Sequence, residues 1–88
     1  MYICENVLKQ IGLNFRVERI KKGLSQERFA ELANVHTNYI GKVERGEQNL
    51  TIRKIVELAN SLEIGLDKVF ILKWFTYKRR IKKSIREK

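Results

Sequence analysis

Residues 26–45 run QERFAELANVHTNYIGKVER. Counting Gln26 as the first, apolar side chains stand at the fourth (Phe29), eighth (Ala33), tenth (Val35), fifteenth (Ile40) and eighteenth (Val43) places, and Asn34, which tolerates a positive φ, holds the ninth. Two short helices that meet at a steep angle need this arrangement. Apolar groups must face one another across the crossing, a turn-tolerant residue must join them, and a small residue, here Ala30, must let the backbones close. Any one match is common by chance; all of them at fixed offsets describe a helix-turn-helix, with a bare three-helix packing motif as the alternative. Ser25 offers the N-cap oxygen for the first of the two helices, and Gly46 ends the second after Arg45.

Working outward, Val7, Leu8, Ile11, Phe15 and Ile20 fall largely on one face of a helix spanning Asn6 to Lys22, and Gly23 supplies a left-handed stop. On the other side, Thr51 caps a fourth helix in which Ile52, Ile55, Val56, Ala59 and Leu62 point inward. Gly65 separates it from a fifth helix beginning near Leu66-Asp67. From Asp67 to Lys88 there is no further breaker, and Phe70, Trp74, Tyr77, Ile81 and Ile85 recur at helical steps. Two readings of this last segment stay open: an amphipathic helix, and a disordered basic tail beyond about residue 78. With no proline, five glycines and no sustained alternation at period two, the expected class is all-α.

The chain has 88 residues, 43% of them apolar, enough for one modest core. Its 19 Lys and Arg against 10 Asp and Glu give a net charge of +9. The surplus is uneven. Residues 1–70 carry eleven bases and nine acids (+2), whereas residues 71–88 carry eight bases and one acid (+7). Cys4 alone cannot build a disulfide framework, and with His36 as the single histidine no zinc site is expected within one chain. No segment approaches the roughly 18 to 20 apolar residues of a membrane span, and no secretory leader is recognisable, so a cytoplasmic protein is expected. No acid–base pair, nucleophile with an adjacent base or phosphate-cradling glycine loop is present, and catalysis is not expected.

Taken together, Ile11-Gly12, Phe15-Arg16, Arg19, Gly23-Leu24-Ser25-Gln26-Glu27, Phe29-Ala30, Leu32-Ala33, Tyr39-Ile40, Val43-Glu44-Arg45-Gly46, Asn49-Leu50-Thr51 and Leu58-Ala59 through Leu62 resemble the Cro/cI-type (XRE) helix-turn-helix family of phage and bacterial repressors. The Glu-Arg-Gly followed by Asn-Leu-Thr is similar to the controller proteins of restriction–modification systems. The resemblance implies a compact five-helix, lambda-repressor-like DNA-binding domain over residues 1–70, followed by a basic helix or tail over 71–88. It implies no cofactor. It also implies a sequence-specific transcriptional regulator, a repressor or an autoregulating controller.

On the third helix, Thr37, Asn38 and Lys42 point away from the Ile40/Val43 face. In a major groove Asn pairs with adenine N6/N7, Lys donates to guanine O6/N7, and Thr contacts a thymine methyl or a phosphate. These three are the expected base readers. Gly41 either lets the helix approach the bases or weakens it. By resemblance, Gln26 donates to a DNA phosphate, and Arg45, Asn49, Arg53 and Lys54 flank the exit from helix three, where the family tracks the backbone. Also by resemblance, Arg19 and Glu44 form an ion pair between helices one and three. His36 departs from the Ser or Thr that relatives carry before helix three, which leaves three readings: Thr37 caps instead, His36 faces a phosphate, or His36 is an exposed loop residue. Arg28 likewise stands where a Glu would complete a capping box.

One such module covers about half a site, so a homodimer on a pseudo-palindromic operator is expected. Ile64, Leu66, Ile71, Trp74 and Phe75 are the interface candidates, in competition with completion of the monomer core for Leu66, Val69 and Phe70. Two alternatives use the tail differently. One is an antitoxin-type regulator whose tail docks a toxin; the other is a basic amphipathic module on an anionic membrane or an acidic partner.

Overall fold

α1 (Cys4–Lys21) is followed by α2 (Gln26–Ala33), α3 (Thr37–Glu44), α4 (Ile52–Leu62) and the single-turn α5 (Leu66–Val69), in a computed structural model that describes residues 3–72. The described residues hold five helices and no strand. α2 and α4 each have a local reason to begin. Ser25 Oγ accepts the Arg28 amide at 3.0 Å, and Thr51 Oγ1 accepts the Lys54 amide at 3.1 Å. Each such bond satisfies one of the amides a helix start leaves free, for about 1 kcal/mol.

The stops are equally local. Asn34 closes α2 at φ 57°, with Val35 N–H on Ala30 O (2.9 Å) and Asn34 N–H on Glu31 O (3.2 Å). Glu63 closes α4 in the same left-handed way, through Ile64 N–H on Ala59 O and Glu63 N–H on Asn60 O. Both are Schellman-type ends. They reverse the chain within two residues, so α2 packs against α3 and α4, and α1 lies across α3 and α5.

The core is built from Ile11, Phe15, Phe29, Ala30, Ile40, Val43, Ile55, Leu58, Ala59, Leu62 and Val69. Phe15 and Phe29 meet with ring centroids 6.1 Å apart and planes tilted by 40°. Fully burying a large apolar side chain stabilises by about 1.5–3 kcal/mol. α1 comes close to α3 because Gly12 has no side chain: a Cβ there would overlap the Val43 carbonyl oxygen and lie 2.9 Å from that of Glu44.

Several expectations need correction. α1 starts at Cys4, which is exposed, rather than at Asn6. Ile20, expected on the packed face of α1, lies on the surface. Ile52 is 67% exposed although it stands one step before Ile55, because it is the first residue of α4; the packed stripe is Ile55, Leu58, Ala59 and Leu62. The run expected to be helical from Asp67 onward is interrupted: α5 ends at Val69, and Phe70 has left helical geometry at φ −99°, ψ 27°. Trp74, Phe75, Tyr77, Ile81 and Ile85 lie outside the described residues.

Asn14 accounts for that interruption. It sits on the apolar face of α1 between Ile11 and Phe15 and is buried. Its Nδ2 donates to Val69 O at 2.7 Å and to Ile71 O at 2.8 Å, while its Oδ1 accepts from Gln10 Nε2 at 3.0 Å. Two carbonyls two residues apart converge on one amide only if the chain leaves the helix between them.

Candidate nucleic-acid interface

α3 is held to the scaffold by one carboxylate. Glu44, at the last turn of α3, is buried, and Arg19 from α1 meets it with both faces of a fork: Nε to Oε2 at 2.7 Å and Nη2 to Oε1 at 3.1 Å. Arg19 Nη1 donates to Leu24 O at 2.7 Å, and Gln26 Nε2 donates to Glu44 Oε1 at 3.0 Å. The side chains are 11% and 2% exposed. A buried pair of this kind is stable when further hydrogen bonds reach its polar atoms, as those with Leu24 O and Gln26 do here. It ties together α1, the α1–α2 turn, the first residue of α2 and the end of α3. Gln26 is thus half-buried with its amide on Glu44.

His36 caps α3. Its Nδ1 accepts the Asn38 amide at 3.2 Å while its backbone is extended, so Thr37 is the first helical residue and not the cap. This resolves the alternatives left open by the sequence: His36 is exposed and supplies the N-cap acceptor. Thr37 is half-buried, and Asn38 and Lys42, one helical turn apart, are exposed. Gly41 is buried beneath Arg45, and a Cβ at Gly41 would sit 3.1 Å from Arg45 Nη1. The absence of a side chain at Gly41 therefore gives the guanidinium of Arg45 room to lie back along α3.

Cations follow α3 in the chain, at its C-cap and on the first turn of α4. Arg45 pairs with Glu47 (Nε to Oε2, 3.1 Å), Arg53 with Glu57 (3.8 Å) and Lys54 with Glu57 (3.3 Å). Asn49 is exposed on the loop between α3 and α4. Lys54 Nζ also lies 5.6 Å from the centre of the Tyr39 ring, linking α4 to α3. Burial pushes the Tyr39 hydroxyl above its ordinary value of 10.0, with Lys54 pulling it down and Glu57 pushing it up. Gly46, at φ +74°, brings the exit of α3 against α1, since a Cβ there would be 2.6 Å from Lys9 Cα. Among the described residues no group of three or more His, Cys, Asp or Glu could hold a metal, and no helix is long and apolar enough to cross a membrane.

With α2 packed on α3 and Asn38 and Lys42 exposed on the latter, residues 15–69 match a helix-turn-helix family model (HTH_3). The chain belongs to the HTH_3 helix-turn-helix family. This HTH_3 chain is 40% identical over 68 residues to control protein C.SmaI of Serratia marcescens, spanning 76% of the chain and 81% of that relative. It superposes on the restriction–modification controller protein C.AhdI of Aeromonas hydrophila with a TM-score of 0.68 and 40% identity, over 72% of the chain and 96% of C.AhdI. It is also similar to the controller protein C.Esp1396I, with a TM-score of 0.66, 27% identity and coverage of 72% and 86%. A second structure of that protein is its tetramer in complex with its natural 35 base-pair operator (TM-score 0.64, 25% identity, 72% and 93% covered).

Of the residues singled out from the sequence, Thr37, Asn38 and Lys42 lie on α3, Arg45 at its C-cap, Asn49 on the α3–α4 loop, and Arg53 and Lys54 on the first turn of α4, where Lys54 reaches the Tyr39 ring of α3. Of the interface candidates, Leu66 (44% exposed) and Ile71 (45% exposed) are on the surface, Ile64 is half-buried against the core, and Trp74 and Phe75 lie outside the described residues. Val69 is fully buried, whereas Phe70 is exposed. Asn14 and the capping role of His36 were not anticipated. Asn14 does leave a trace in the sequence, as a polar residue on the stripe Val7, Ile11, Asn14, Phe15, where a buried amide must find partners.

Proposed function

We propose that this chain is a double-stranded-DNA-binding transcriptional regulator that reads a pseudo-palindromic operator as a homodimer. The observation that carries the reading is the fixing of α3 by the Arg19–Glu44–Gln26 cluster with Asn38 and Lys42 left exposed on the same helix. A helix whose outer side chains are free and whose inner carboxylate is locked presents one rigid face to a major groove. Asn38 and Lys42 read base edges, with Thr37 at their margin, and Arg45, Asn49, Arg53 and Lys54 hold the register on phosphates. Gln26 joins the phosphate contacts through the amide proton that Glu44 does not take.

The naming of C.SmaI and C.AhdI as controller proteins, and the C.Esp1396I tetramer on its operator, support regulation of transcription from a two-fold site. Exposed Leu66, Phe70 and Ile71 on one side of the domain supply apolar surface for a second copy. The protein acts in the cytoplasm and carries out no catalysis.

Selection of bound fragments from a random duplex pool at about 0.1–0.15 M ionic strength, where screening over roughly 10 Å suppresses loose attraction, tests the reading. Two inverted half-sites about one helical turn (~34 Å) apart are expected. Asn38→Ala and Lys42→Ala should each relax preference at a particular base position, at a cost of about 1–3 kcal/mol. Recovery of no motif would overturn sequence-specific recognition.

A further inference from the structure

The described domain is almost neutral for a module that binds a polyanion: residues 1–70 carry only +2. The structure shows where the counter-charges sit. Gln26 is on Glu44, Arg45 on Glu47, and Arg53 and Lys54 share Glu57. Four of the five groups assigned to phosphate thus sit on carboxylates of their own chain. Glu44 is buried and structural. Glu47 and Glu57 are more than half exposed, at 56% and 54%.

We infer that Glu47 and Glu57 are affinity-determining residues that compete with DNA phosphate for Arg45, Arg53 and Lys54, and so set the strength and salt dependence of backbone binding. This rests on the DNA-binding reading above. Exposed pairs of this kind are weak enough to exchange. A cation that leaves Glu for phosphate trades one anion for another, and its carboxylate is left facing the duplex. Fewer counterions are then released per contact than the number of cations would suggest. Glu57 holds two cations against Glu47's one, so its effect is the larger. Lys54 retains the Tyr39 ring when Glu57 is neutralised, which keeps it beside α3.

The test uses the full chain with Glu47→Gln, with Glu57→Gln, and with Asp67→Asn as a control of equal charge change on α5, beyond the far end of α4 from Arg53 and Lys54. Binding to a random-sequence duplex is measured between about 0.05 and 0.2 M salt, the range over which phosphate contacts dominate the salt response. Thermal unfolding in parallel should show all three variants folded, since all three carboxylates are exposed. Glu57→Gln is expected to bind about three- to thirtyfold more tightly at the low-salt end, with a log–log salt slope steeper by about one to two, from roughly 0.9 per phosphate neutralised. Glu47→Gln should show about half that steepening, and Asp67→Asn little.

Slopes and affinities of Glu47→Gln and Glu57→Gln that match the Asp67→Asn control would overturn the competition while leaving DNA binding intact. A wild-type chain that binds neither this duplex nor any selected one would overturn both readings.

Discussion

Glu44 is the residue on which the candidate interface turns, because three donors from two other segments converge on it. Glu44→Ala strands the Arg19 guanidinium in a half-closed environment and frees Gln26. Breaking a buried pair from one side costs about 3–5 kcal/mol, a large share of the roughly 5–15 kcal/mol that holds a small domain together. Urea unfolding should show that loss, and replacing both partners by apolar residues of similar size should recover most of it. An unchanged midpoint for Glu44→Ala would contradict the role. Tyr39 gives a second, pH-linked expectation. Its raised titration means that above about pH 10 the unfolded chain sheds the phenolic proton first, so the folded state keeps more protons and stability falls as pH rises. Below the ordinary value the group contributes no pH dependence. Comparing wild type with Tyr39→Phe in urea from about pH 8 to 11 isolates it: the wild type should lose more at the alkaline end.

At the scale of elements, two helical glycines look alike in sequence and differ in what surrounds them. Gly12 faces backbone carbonyls of Val43 and Glu44, which cannot move aside, whereas Gly41 faces only the flexible end of Arg45. Gly12→Ala should therefore destabilise by about 1–3 kcal/mol through overpacking, despite its better helix propensity. Gly41→Ala should be neutral or stabilising by up to about 1 kcal/mol. Thermal unfolding of the two variants checks the opposite signs.

The same contrast explains what the sequence revealed. α2, the turn at Asn34, α3 and the Ser25 and Thr51 caps were legible because each depends on residues within a few positions of one another. Gly12 appeared only as part of a resemblance, since its partners lie some thirty residues away. His36 was misleading for a chemical reason: propensities disfavour histidine as a cap, yet an imidazole nitrogen is an adequate acceptor when the backbone presents it. Ile52 was misplaced because periodicity reports a face and not whether any neighbour reaches the first turn.

For the whole molecule, the decisive long-range feature is the hold of Asn14 on Val69 and Ile71. Asn14→Ala removes both donors and leaves carbonyls to find water, for about 1–3 kcal/mol. It should also loosen the last turn locally. Hydrogen exchange at the Phe70 amide, which bonds Leu66 O, should accelerate more than exchange at the α2 and α3 amides. Equal acceleration everywhere would mean that Asn14 contributes only to global stability. The sequence placed a fifth helix near residue 66 but could not end it. The Phe70-to-Ile85 spacing favoured continuation, and only a contact spanning more than fifty positions reveals why the helix stops.

That same contact also bears on time. Asn14 and Val69 are 55 residues apart, and closing so long a loop is entropically later than joining α2 to α3 or Arg19 to Glu44. A bond made after the folding barrier slows escape from the native state without hastening arrival. We expect one buried asparagine, outside the set proposed to face DNA, to govern how long the folded domain persists once formed.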